Sequence, residues 1–185
     1  SSAASDVYKR QIYGYFLRKA LMEELPLRDA EKVWSDSLPP KEGPLAWEIA
    51  GLDVVRRLTV KCLFQAISLY GQDLRNAQIV GEDLADLTIG YFAASAAINR
   101  ILQNSADGEL DTTKKTLARL TAMTCFEDAT RLLYRLRPAL FSDAAGQRAL
   151  KTFDSELQKL QLPFNPTDEI THLTDVLYDR GSYPF

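Results

Sequence analysis

The sequence predicts an all-α protein, an antiparallel helical bundle of four to five main helices preceded by an N-terminal helix. Three observations support this fold class. Apolar residues recur at spacings of three and four over several long stretches. No stretch alternates apolar and polar residues, as a half-buried strand would. Prolines lie between the periodic stretches, where they can end one helix or begin the next.

Composition indicates one globular domain. The chain has 185 residues, of which 46% are hydrophobic and 25% charged, enough to build a sizeable core. The net charge of −3 argues against nucleic acid as a partner, since such proteins usually carry clustered Lys and Arg. The apolar runs are only a few residues long, so no membrane span is predicted.

The first 44 residues differ in character from the rest. Residues 1–11 are small and polar and predict a disordered lead. Residues 12–44 predict a junction helix, ending before Pro26, and a linker rich in proline and charge. The bundle domain is predicted over residues 45–185.

The first bundle helix should begin near Pro44 and end near Gly71, or run on to Arg75. Its apolar residues at helical spacing are Leu45, Ile49, Leu52, Val55, Cys62, Ala66 and Leu69. Asp53 and Arg57 lie four apart and should pair on the outer face.

The next helix carries the clearest signal, and Asn76 is its expected N-cap. One row follows a strict 4-3 spacing: Val80, Leu84, Leu87, Tyr91, Ala94, Ile98 and Ile101. A second apolar row lies beside it: Ala85, Ile89, Phe92 and Ala96. So wide an apolar arc predicts a central helix buried by several neighbours. The core-packing residues are predicted to be Leu84, Leu87, Tyr91 and Ile98.

Three more helices are predicted. The first runs from Thr112 to Arg137, where Pro138 should stop it. Its inner face is mostly small: Ala118, Ala122, Cys125, Ala129, Leu132 and Leu136. The second fits residues 142–160. The third begins at the cap-and-proline pair Asn165-Pro166 and ends near Gly181.

No catalytic, cofactor-binding or metal-binding residues are predicted from the sequence. Nucleotide-binding, hydrolase and zinc-protease motifs do not occur. His172 is the one histidine and is expected to be a half-exposed helix residue. Cys62 and Cys125 lie in apolar periodic segments and are expected to be buried, reduced thiols, which indicates a cytoplasmic or other reducing compartment.

The predicted central helix also carries a recognisable series of residues. It reads Gln78-Ile79-Val80, Leu84-Ala85-Asp86, Ile89, Tyr91-Phe92-Ala93 and Asn99-Arg100. This series resembles the C-terminal helical domain of very-long-chain acyl-CoA dehydrogenases, which shows Q-x-L, then L-A-D-x-x-I-x-x-Y-A, then a basic residue. Phe92 fills the family's aromatic position, and Tyr91 precedes it.

The similarity extends along the chain, over about residues 40–185. The neighbouring helices, with 55–69 and 125–129, fall in the family's order. The ending Asp179-Arg180-Gly181 followed by Pro184-Phe185 is similar to the family's tail.

The resemblance implies that the chain is the C-terminal part of a larger enzyme. The flavin-binding catalytic core of that enzyme would lie N-terminal to this domain. The parent would oxidise a long-chain acyl-CoA to the trans-2-enoyl-CoA with FAD, in fatty-acid β-oxidation, and pass electrons to an electron-transfer flavoprotein. The family's catalytic glutamate and flavin contacts are not in this chain. The domain would cap the catalytic core and support a homodimer.

A capping domain should leave an apolar patch for its partner. The candidate interface residues are Tyr13, Phe16, Leu17, Leu21, Trp34 and Trp47. The two tryptophans could instead pack on the bundle. Family membership suggests a basic amphipathic segment for membranes, but basic and acidic residues nearly balance over 18–42, so membrane binding is not expected.

Other interpretations stay open. The chain could be a free-standing helical interaction or ligand-sensing module, or, less favoured, an independent enzyme. Arg131, Arg135 and Arg137 could hold a phosphate or an anionic lipid, or form a solvated face with Glu127. Asp86 could lie at the solvent edge or pair with Arg100 or Arg119.

Overall fold

The computed structural model describes residues 42–104, 110–143 and 164–181, with isolated positions between 7 and 24 and between 147 and 158. These residues form α1 (Ala46–Tyr70), a 3-10 helix (Gly71–Asn76), α2 (Gln78–Gln103), α3 (Thr112–Leu140) and α4 (Pro166–Arg180). They include no strand, which confirms the all-α prediction. Most of the predicted junction helix, the linker and the helix at 142–160 lies outside the described residues.

α3 contacts each of the other three α-helices, whereas α2 contacts α1, α3 and the 3-10 helix. Among the described helices the central position therefore belongs to α3 rather than to α2, the helix with the strongest periodicity. Small residues explain this, because Ala118, Ala122 and Ala129 are buried on α3 and let neighbouring helices approach closely.

The contact between α1 and α3 is close enough to require a glycine. A Cβ added at Gly51 would overlap the ring of Phe126, which is 2% exposed. Leu45, the residue before α1, adopts a left-handed conformation with φ 64°, which is unfavourable for a side chain with a Cβ. Leu45 is buried, and its burial offsets that strain.

α1 gives way to the 3-10 helix at Gly71, whose φ of 50° ends the α-helix. The α-helix therefore ends at Gly71, the first predicted alternative, and helical turns of tighter geometry follow it. The fully buried Leu74 fixes this turn against the core. Asn76 is not the N-cap of α2, because Ala77 occupies that position and no side chain caps the helix.

α3 runs three residues past the predicted end at Arg137 and contains Pro138. A proline in the last turn removes a single backbone bond, and the amide of Phe141 still donates to the carbonyl of Arg137 at 3.0 Å. Leu140 and Phe141 are both fully buried. Their burial outweighs the lost bond, so the helix continues to Leu140.

α4 begins and ends where its sequence signals predict. The Asn165 side chain accepts a hydrogen bond from the amide of Thr167 at 3.1 Å, and Pro166 occupies the first turn. Gly181 ends the helix with φ 59°, a left-handed conformation that glycine adopts without strain.

The two apolar rows of α2 differ in burial. Leu84, Leu87 and Ile98 are 1%, 2% and 1% exposed, and Tyr91 is half-buried against the same core. Ile89 and Phe92 are 40% and 72% exposed, so the expectation that the second row is buried is wrong for them. The described neighbours of α2 cover an arc narrower than its apolar surface.

Candidate functional site

The three arginines near the end of α3 are all engaged in ion pairs. Arg131 pairs with Asp128 at 2.9 Å, Arg135 with Asp83 at 3.2 Å and Arg137 with Asp154 at 3.0 Å. Their guanidinium groups do not converge on a common anion site. The structure therefore shows an ion-paired face at this end of α3. The paired acids are Asp128, Asp83 and Asp154 rather than the predicted Glu127.

Asp83 is the buried member of these pairs. It is 3% exposed, and burial raises the pKa of its carboxyl group, which the charge of Arg135 partly offsets. The pair fastens the first part of α2 to α3.

A second charged cluster joins three helices, and we call it the Glu169 clasp. Glu169 on α4 accepts hydrogen bonds from the Thr116 hydroxyl at 2.6 Å and from the Arg119 guanidinium, both on α3. Arg119 also lies 3.7 Å from the buried carboxylate of Glu48 on α1. Burial alone would raise the pKa of Glu169, but these hydrogen bonds and the charges of Arg119 and His172 hold it below its ordinary value.

Aromatic rings pack beside the Glu169 clasp. The Arg119 guanidinium lies 5.4 Å from the centre of the Phe164 ring, a cation–π distance. Trp47 packs edge-on against Phe126 and Phe164, with ring centres 5.0 and 5.4 Å apart. Trp47 thus packs on the bundle, the second of its two alternatives, whereas Tyr13, Phe16, Leu17, Leu21 and Trp34 lie outside the described residues.

Two further ion pairs differ from expectation. Asp86 pairs with Lys9 at 3.0 Å rather than with Arg100 or Arg119, and its side chain is partly exposed, in line with the other alternative, a position at the solvent edge. Asp53 and Arg57 do pair, at 2.9 Å, but Arg57 is only 6% exposed. That pair therefore lies inside the bundle and not on its outer face.

The thiols and the histidine show no features of a nucleophilic site. Cys62 and Cys125 are both buried and free. Burial raises the pKa of Cys62 well above its usual range, and burial with the nearby charge of Asp128 raises that of Cys125 to about 11. Both thiols are protonated at neutral pH. His172 is half-buried on α4, close to Glu169.

A groove of about 650 Å³ runs between α2 and α3. Its lining residues are Asp86, Ile89, Gly90, Ala93, Ala94, Ala97, Thr121, Thr124, Cys125, Asp128, Arg131 and Leu132. Two carboxylates line it, and its arginine is paired with one of them. The groove therefore does not fit the pyrophosphate of FAD, which needs unpaired donors or cations. Among the described residues no cluster of His, Cys, Asp and Glu could hold a metal ion, and no helix has the length and hydropathy of a membrane span.

Sequence reasoning missed the Glu169 clasp because its members are far apart in the chain, Thr116 and Glu169 being 53 residues distant. It also did not single out a further row on α2, which shares Ile89 and Ala96 with the second apolar row and follows the same 4-3 spacing as the core row. The row consists of Glu82, Asp86, Ile89, Ala93, Ala96 and Arg100, and we call it the outer seam.

Comparison with solved structures gives a similarity in fold. No protein-family model and no curated protein sequence matches the chain. A crystal structure of an acyl-CoA dehydrogenase complexed with FAD from Bacillus anthracis is similar to 97% of this chain, with a TM-score of 0.81 and 18% sequence identity. The chain has the fold of a helical part of that enzyme. It covers 32% of that chain's length.

Proposed function

We propose that this chain is the C-terminal accessory domain of an FAD-dependent acyl-CoA dehydrogenase. The observation that carries the proposal is the shared fold, which extends over 97% of this chain and 32% of the Bacillus anthracis enzyme. The motif resemblance of α2 to the same enzyme class was found in the sequence independently of the fold. Two different kinds of evidence therefore support one family.

In this proposal the domain has no catalytic role of its own. The charged groups described above are engaged within the bundle, in the Glu169 clasp and in the pairs of α2 and α3. In the parent, FAD bound by the catalytic core would supply the oxidation of a long-chain acyl-CoA to its trans-2-enoyl product, and an electron-transfer flavoprotein would accept the electrons.

The domain's proposed contribution is structural: it caps the catalytic core and supports a homodimer. Exposed large apolar side chains favour such a role. They include Ile79 and Phe92 on α2, Tyr134 on α3, and Ile170 and Tyr178 on α4. Burying them against other parts of the enzyme would stabilise the assembly through the hydrophobic effect.

The native protein tests this proposal. Antibodies against the chain should recover from source cells a yellow protein whose oxidised-flavin absorbance is bleached by a long-chain acyl-CoA. The 185-residue chain, purified alone and mixed with FAD, serves as the control and should stay colourless after desalting. Recovery of a flavin-free protein that long-chain acyl-CoA leaves unchanged would contradict the proposal and favour a free-standing interaction module.

A further inference from the structure

The outer seam of α2 has an uncovered apolar centre. Ile89 is 40% exposed, and Phe92, which flanks the seam, is 72% exposed. Ala93 and Ala96 are also exposed and present little bulk. A contiguous apolar surface of this kind on a helix is typical of a protein interface.

The charged residues of the outer seam change sign along α2, from acidic near its beginning to basic near its end. Glu82 and Asp86 lie in the first part of α2, and Arg100 lies near its end, where it is exposed. Rotation about a two-fold axis that crosses the seam midway between Ile89 and Ala93 would pair this seam with itself in antiparallel orientation. Glu82 of each copy would then face Arg100 of the other.

Side-chain size is complementary in the same register. The axis that pairs position 82 with 100 also pairs 89 with 93, so the branched side chain of Ile89 would meet the small Ala93 of the other copy. Alanines on a seam let two helices approach closely. Phe92 would lie next to its own counterpart beside the axis, where aromatic pairs are favourable.

Asp86 does not conflict with this register. It would face Ala96 of the other copy, and its charge is already balanced by Lys9 at 3.0 Å. The negative charge of Asp86 therefore does not require a cation from a different partner.

We propose that the outer seam of α2 is an isologous, antiparallel interface between two copies of this chain. This inference rests on the dimer-supporting part of the proposed function and assigns that part to named residues. The size and charge order of one helix select a second copy as the occupant, because an unrelated partner would not require self-complementarity.

Sedimentation equilibrium of the purified chain tests the interface. The unsubstituted chain should dimerise, and Phe92→Asp should weaken the dimer by about tenfold or more, the effect of losing a central interface residue. Tyr178→Asp is the control, since Tyr178 is also a large aromatic residue, is 83% exposed and lies on a different helix, α4. A chain that stays monomeric at high concentration, or equal effects of the two variants, would overturn the proposal.

Charge reversal tests the register. Arg100→Glu and Glu82→Arg should each weaken the dimer, and a chain carrying both should regain it, because the reversed charges again face each other. Circular dichroism of each variant confirms that the helices are formed. A double variant that associates no better than the single ones would overturn the register. None of these results alters the flavin assay, so failure of the interface is distinguishable from failure of the proposed function.

Discussion

At the scale of single residues, α2 shows that membership of an apolar row does not by itself determine whether a side chain is buried. Leu87 and Ile89 are two positions apart on one helix and similar in size, yet Leu87 is 2% exposed and Ile89 is 40% exposed. The sequence predicts the burial of Leu87 because it belongs to the strict 4-3 row. It could not predict the exposure of Ile89, since the pattern does not say which neighbours cover a second apolar row.

This pair gives a direct test of the core assignment. Leu87→Ala should lower the free energy of unfolding by about 2–5 kcal/mol, through lost transfer energy and the cavity left behind. Ile89→Ala should cost less than about 1 kcal/mol, as changes at exposed positions usually do. Urea unfolding of both variants, at a concentration where the chain is monomeric, checks this. Equal losses would mean that α2 is oriented differently in the bundle.

At the scale of elements, local signals predict helix ends better than they predict contacts between helices. Asn165 and Gly181 mark the ends of α4 because capping depends on neighbouring residues alone. Pro138 does not end α3 as the sequence predicts, because the burial of Leu140 and Phe141 extends the helix past it. That burial is a tertiary effect. The Glu169 clasp is also tertiary, and the sequence could not reveal it.

The Glu169 clasp should make the docking of α4 depend on pH. The pKa of Glu169 is lower in the folded chain than in the unfolded one, so its contribution to stability is present above the unfolded value, about 4.3, and is lost as pH falls through the folded value. Hydrogen exchange of α4 amides should therefore accelerate, relative to α3, in acid.

The control is Glu169→Gln, which keeps the size of the side chain and removes its charge. At neutral pH α4 of this variant should be less protected than in the unsubstituted chain, and the difference should shrink as pH falls below about 4. A difference that stays constant with pH would show that the charge of Glu169 does not hold α4.

At the scale of the whole molecule, the helical class was predictable from periodicity, and the architecture has a counterpart in a solved enzyme. The two proteins are 18% identical in sequence where they align, so the fold is shared although most residues differ. Of the residues that carry the resemblance on α2, Val80, Leu84 and Ala85 are buried, whereas Ile79, Ile89 and Phe92 are exposed. They indicate the fold, whereas an activity must be argued from the larger protein to which such a fold belongs.

The length of the native polypeptide tests the central claim most directly. Peptides of this chain, mapped by mass spectrometry in a denaturing gel of source cells, should come from a band about three times as long as 185 residues, since the chain covers 32% of the enzyme that shares its fold. The same band should yield peptides of a flavin-binding catalytic core. Peptides found only in a band of 20.8 kDa would contradict the account.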